Sequence, residues 1–241
     1  MANHIIHGNP TFNPQEQQSI RANDRLAPIL ATEINESLIR QALVDSFVNQ
    51  VSDPVVERWN AEKRRLHQQT PYIEAATLMP LVRTSQGLEM LLTRRSLRLK
   101  KHRGQISFPG GRVDKEDVSA MHTALRETFE EIGVPEQKIQ VVGQLPDFFT
   151  GTGFLMKPFV AFIDEDYTLK INQDEVAEVF AVPLSFLLNP DNHFLHHVPM
   201  GVATVREYFS IPWKDYFIWG ATAAVIRNFY QQLNYLCSRG K

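Results

Sequence analysis

Ser119-Ala120-Met121-His122-Thr123-Ala124-Leu125-Arg126-Glu127-Thr128-Phe129-Glu130-Glu131-Ile132-Gly133 reads as a helix carrying an electrostatic conflict. At about 100° per residue, Met121, Leu125, Thr128 and Ile132 form one stripe, flanked by Phe129, that is expected to face a core. Glu127, Glu130 and Glu131 fall on the opposite side, with the small Ala120 and Thr123 one turn earlier. Gly133 is expected to end the helix, because the residue just past a C-terminus often adopts a left-handed conformation that glycine reaches without penalty. Like charges at this spacing destabilise a helix by about 0.2–0.5 kcal/mol per pair. They also stand in the C-terminal half, where the helix dipole disfavours anions. Arg126 compensates only in part. A divalent cation removes the conflict, since oxygen ligands suit Mg2+ or Mn2+ and such a site accepts substrate phosphates. The competing reading is a solvated acidic face on an ordinary amphipathic helix.

Just upstream stands Phe108-Pro109-Gly110-Gly111, whose glycines allow a tight turn or a close approach of backbone to ligand. The turn and helix together resemble the Nudix box: Gly, five residues, Glu, seven residues, Arg-Glu, an aliphatic residue, any residue, Glu-Glu, any residue, Gly, an aliphatic residue. This chain offers Gly111, Arg126-Glu127, Glu130-Glu131, Gly133 and Val134. Gly111 to Arg126 is one residue longer than that pattern, with Asp117 in register for the first acidic position or Glu116 beside it. Thr128 stands at the aliphatic position and Phe129 directly precedes the glutamate pair. The resemblance implies an α+β fold, a Nudix-type α/β/α sandwich with a mixed β-sheet. It also implies metal-dependent attack of water on a diphosphate, with Mg2+ or Mn2+ as cofactor. Glu127 and Glu131 would be the primary metal ligands, Glu130 a further ligand or a catalytic base, and Arg126 a residue that orients the carboxylates. Glu130, Glu175 and Glu178 are all open as general base.

Working outward, Leu91-Leu92-Thr93-Arg94-Arg95-Ser96, then Lys100, Gly104 and the glycine turn resemble the signature of the coenzyme A pyrophosphatase branch. Lys100 stands where that branch has Arg, which keeps the charge and loses the bidentate fork. Gly151-Thr152-Gly153, Asp174 to Val179 and Trp219-Gly220-Ala221-Thr222 resemble later segments of the branch, so the likeness runs from about 72 to 233. The implied substrate is coenzyme A or an acyl derivative, giving adenosine 3',5'-bisphosphate and 4'-phosphopantetheine. Arg95, Lys100, His102, Gln105, Gly110 and Gly111 are the expected substrate-binding residues. The alternatives are another diphosphate such as ADP-ribose or NADH, or a non-catalytic Nudix-like nucleotide sensor whose residues 1–70 contact a partner. The basic run from Arg94 to Arg103 reads either as an anion site or as solvated charge.

A formal charge of −2 gives no field of the kind that nucleic-acid binding requires, so the expected partner is a small nucleotide. No apolar stretch reaches the roughly 18 residues that span a bilayer, and neither a leader nor a lipidation address is read at the ends. The lone Cys237 forms no internal disulfide and no Cys/His spacing suggests zinc, which fits a cytoplasmic location. A homodimer is the assembly considered. Residues 1–70 are expected to be a partly helical N-terminal extension, with a loose arm at Asn9–Gln18 and helices at Glu33–Val48 and Pro54–Gln68, Asp53 capping the second. Residues 71–241 are expected to form the hydrolase domain. Its strands are expected near Ala75–Val82, Leu88–Thr93, Ile139–Leu145, Met156–Ile163, Glu178–Val182 and Thr204–Ile211, and its second helix near Ala221–Leu236. Phe148 and Phe149 are either core or a base-stacking lid; His193, His196 and His197 are expected in a loop.

Overall fold

The run from Ala75 to Val82 contains no charged residue, and a strand of that kind is stable where both of its faces are covered. The computed structural model describes residues 12–22, 26–44, 51–66, 71–200 and 205–239, and there this run is the centre of a sheet. In chain order come β1 (Ser19–Arg21), α1 (Glu36–Val44), α2 (Pro54–Leu66), β2 (Ile73–Thr84), β3 (Gly87–Arg95), β4 (Ile106–Ser107) and β5 (Gly110–Arg112). α3 (Ala120–Ile132) follows, then β6 (Ile139–Gln144), β7 (Phe148–Phe149), β8 (Phe154–Ile163), β9 (Val176–Pro183) and α4 (Leu184–Leu187). β10 (Phe194–Pro199), β11 (Val205–Trp213), β12 (Tyr216–Trp219) and α5 (Ala221–Arg239) complete the chain.

β2 pairs parallel with β8 and antiparallel with β3 and β5, so the sheet is mixed. Its order is β4-β3-β2-β8-β6, with β9 also on β3 and β7 on β8. Alternation of side chains divides β2 between two layers. Ala76 and Leu78 pack with Ala124 of α3, whereas Met79 and Leu81 enter the core shared with Ile226 and Phe229 of α5. The result is an α/β/α sandwich. A second sheet, β1-β10-β11-β12, packs beside α5. The extension shares this core: Ile39, Ala42 and Leu43 of α1 and Val56 of α2 are buried in it. Among the described residues, no helix is long and apolar enough to cross a membrane.

Several expectations move. The helix expected over 33–48 is observed over Glu36–Val44, and 45–48 lie outside the described residues, as do 67–68, Thr204 and residues 9–11 of the arm. Asp53 does cap α2, its Oδ1 accepting from the Val55 N–H at 2.9 Å. The histidines are not loop residues throughout. His196 and His197 lie in β10 opposite Tyr208 and Glu207. Ring stacking of His196 on Tyr208 (4.5 Å between centroids) and the contact of His197 Nδ1 with Glu207 Oε1 (2.9 Å) hold them there. His193, just ahead of the strand, is buried.

Candidate metal centre

Local signals set the limits of α3. Ser119 caps it by accepting from the His122 N–H (3.1 Å), and Gly133 closes it at φ 77°, donating to the Phe129 carbonyl. Leu125, Thr128 and Ile132 of the expected stripe are buried, but Met121 and the flanking Phe129 are not. Ala120 and Ala124 pack toward β2, and Glu127 and Glu131 reach Gly111 and Gly110 of β5, while Met121 is 43% exposed and Phe129 55% exposed. On a helical wheel the buried arc runs from Thr123 through Glu131 and Ala124 to Ile132 and Leu125, and its centre is rotated by roughly 40° from the middle of the expected stripe. Small side chains let α3 come close to the sheet, and that closeness carries two glutamates over the glycine turn. The carboxylates therefore point inward.

The turn is built to receive them. A Cβ on Gly111 would lie 2.4 Å from the Glu127 carboxylate, so a glycine is needed for the approach itself. Gly110 has φ 149°, and a Cβ there would meet the Ala76 carbonyl oxygen at 2.4 Å. Its N–H donates to Glu131 Oε2 (3.3 Å). Glu127, Glu131 and Glu175 each offer one carboxylate oxygen, and the three atoms lie within 4.8 Å of one another. Glu175 arrives from the turn before β9, held where its carbonyl accepts from the Ser96 N–H (2.7 Å) and where Asn172 N–H donates to the Glu131 carbonyl (3.0 Å). Glu130 stands apart, half exposed, its Oε2 accepting from Arg126 Nη1 at 3.0 Å. Glu178 lies 3.8 Å from Arg94.

Burial pushes the Glu131 carboxyl up to about 8, against the pull of Arg95 and of the Gly110 N–H. Glu127 is raised for the same reason, with Arg126 opposing. Three carboxylates packed this closely lack a full set of compensating cations, and their hard oxygen donors fit a divalent ion. Arg126 is the organiser of the rim. It grips Asp117 through Nε (3.0 Å) and Nη2 (2.9 Å) and reaches Glu127 through Nη1 (3.0 Å). That grip holds Asp117 well below the usual carboxylate range. Between the two candidates for the first acidic position, Asp117 is the one turned inward, also accepting from Thr123 Oγ1 (2.8 Å), and Glu116 is exposed.

The basic run does not form one patch. Successive strand residues face opposite ways, so Arg95 turns toward Glu131 (3.7 Å) while Arg94 stacks over Tyr216 (4.8 Å). Arg95 Nε is buried with no hydrogen-bond partner among the described residues. Arg98 pairs with Asp174 (2.7 Å), His102 Nδ1 lies 2.8 Å from Gln105 Oε1, and Lys100, Lys101 and Arg103 are exposed. Phe148 and Phe149 are 5% and 8% exposed, so packing rather than an open lid accounts for them. In sequence Glu175 stands in the Asp174–Val179 stretch and among three candidate bases, and an acidic stretch ahead of a strand is a weak signal of a metal ligand, because closure onto α3 is a tertiary event.

The family model described as the NUDIX domain matches residues 72–200. A relative named "uncharacterized Nudix hydrolase NudL" from Yersinia enterocolitica is 40% identical over 160 residues, covering 66% of this chain and 81% of its own length. A protein of the same name from Escherichia coli K12 is 36% identical over 185 residues, covering 75% and 94% respectively. Among solved structures, a MutT protein from Methanosarcina mazei is 22% identical with a TM-score of 0.44, covering 70% of this chain and 97% of that one.

Proposed function

This chain belongs to the NUDIX family, and from that premise we propose that it hydrolyses a pyrophosphate bond in a nucleoside diphosphate derivative, using Mg2+ or Mn2+. The observation that carries the reading is the trio of Glu127, Glu131 and Glu175 oxygens within 4.8 Å, seated over Gly110-Gly111. When bound there, the ion supplies Lewis acidity toward a phosphate oxygen and lowers the pKa of a water molecule. Glu127 and Glu131 are its principal ligands, with Glu175 as the third. Arg126 fixes Glu127 and Glu130, and Glu130 is the candidate to accept the proton of the attacking water. Arg95, whose Nε has no hydrogen-bond partner among the described residues, is the candidate to hold a diphosphate oxygen. Lys100, His102 and Gln105 contribute from the adjoining loop, and Gly110 and Gly111 bring the backbone close to the carboxylates where the diphosphate would sit.

Within that class, coenzyme A or acyl-coenzyme A is supported by the 91–111 motif. ADP-ribose or NADH is favoured by a different observation: Arg94 and Arg98 are committed to Tyr216 and Asp174, which removes two of the cations that a third phosphate would need. Turnover of coenzyme A, ADP-ribose and NADH with each metal ranks them. Glu131→Gln is expected to lower kcat/KM by at least about a hundredfold, as loss of a metal ligand should. Normal turnover by that variant overturns the metal-centre reading, and tight binding without any cleavage indicates a nucleotide sensor.

A further inference from the structure

A cavity of about 620 Å³ lies apart from the carboxylates, where β7 and β8 meet α2. Glu57, Asn60 and Arg64 of α2 wall one side, and Asp147, Phe149 and Leu155 wall the other. The matched family segment begins at residue 72, so the α2 wall is supplied by the extension. Asn60 fixes the geometry. Its Nδ2 donates to the Asp147 carbonyl (3.1 Å), and its Oδ1 accepts from the Phe149 N–H (2.9 Å).

Strand register ties this cavity to the metal centre. Phe149 stands opposite Leu155, and Leu155 opposite Glu74. Two residues on, Ala76 stands opposite Gly111, the residue against which Glu127 packs. Residues directly opposite share a sheet face, so the inner wall of the cavity and the glycine turn lie on one side of the sheet. Two strand spacings across and two residues along separate Leu155 from Gly111 by roughly 12 Å. An arm of a diphosphate diester spans that distance. The wall carries Arg64 against Glu57 and Asp147, an excess of negative charge that repels a further phosphate or carboxylate. Phe149 and Leu155 add apolar contact.

We propose that this cavity receives the uncharged arm of the diphosphate substrate, a hydroxyl- or amide-bearing group such as a nucleoside or an amide chain, and that α2 of the extension completes the binding site. The inference rests on the hydrolase reading above. Glu57 and Arg64 are exposed on α2, so a Glu57→Ala, Arg64→Ala double variant is expected to fold. With the preferred member of the coenzyme A, ADP-ribose and NADH panel, its KM should rise about tenfold while kcat stays within threefold, because binding remote from the reacting phosphorus is lost. Added adenosine or pantetheine should compete in the wild type, and which one competes identifies the arm. Unchanged KM in the double variant, with normal turnover in the wild type, overturns the cavity assignment and leaves the hydrolase reading intact. If the wild type cleaves none of the three, calorimetry with adenosine and pantetheine decides: binding lost in the double variant supports the cavity, and binding unaffected by it, or absent, overturns it.

Discussion

Glu131 is a carboxyl that burial holds protonated up to about pH 8 and that a bound cation would force to ionise. Its folded pKa lies above the ordinary value of 4.5, so the metal-free folded state binds the extra proton between those limits. Stability of the metal-free protein should therefore fall as pH rises through that window. Metal competes with the same proton. Mn2+ affinity is expected to climb with pH up to about 8 and then level, by about tenfold per pH unit if one proton leaves per ion. Mn2+ titrations at several pH values check this, and a flat profile would remove Glu131 from the ligand set. At this scale the sequence is legible where the candidate ligands are neighbours in the chain. Glu127 and Glu131 stand one helical turn apart and announce themselves, whereas Glu175 is drawn in by the pairing of β3 with β9 and carries no spacing signal.

The elements themselves are readable from periodicity and caps, but their rotation is not. α3 begins and ends where Ser119 and Gly133 require, yet its buried arc takes in Ala124 and Glu131 and leaves out Met121. Close packing against β2 outweighs the transfer free energy of one methionine, a contest invisible in a hydrophobic pattern. The short β1, β4, β5, β7 and β12 escape sequence reading for a related reason: a strand of two to four residues has too few alternations to show a period. The two glycines of the turn separate structure from chemistry. Gly110→Ala places a Cβ against backbone of β2 in a left-handed conformation, and should cost about 1–3 kcal/mol of stability. Gly111→Ala meets the movable end of the Glu127 side chain. It should change stability by less than about 1 kcal/mol while weakening Mn2+ binding at least tenfold. Urea unfolding beside metal titration tests the pair, and equal metal affinity in Gly111→Ala would show that Glu127 does not need its observed position.

The whole molecule is held together by polar groups as well as by its apolar core. Asp53, at the start of α2, and Arg227, in α5, are each 1% exposed and bonded at 2.8 Å through Arg227 Nε. Arg227 Nη1 donates to His193 Nδ1 (3.3 Å), and His193 Nε2 donates to the Leu187 carbonyl (2.7 Å), which fixes that ring as the neutral tautomer. Burial lowers the His193 pKa from 6.5 to about 4. Because the folded pKa is depressed, the unfolded chain binds more protons between those values, and stability should fall as pH drops from about 6.5 toward 4. No motif announces this network, since its members come from three segments that only folding brings together. Asp53→Ala leaves Arg227 buried without its carboxylate and removes the cap of α2, so it should cost about 3–5 kcal/mol. Arg227→Met should be nearly as damaging alone, and the double variant should recover part of the loss, because an apolar pair escapes the desolvation penalty of two charges. A single urea transition throughout would mean that the extension and the NUDIX segment unfold as one unit. If the Asp53→Ala penalty persisted undiminished in the Arg227→Met background, the ion pair would not be what fastens α2 to α5.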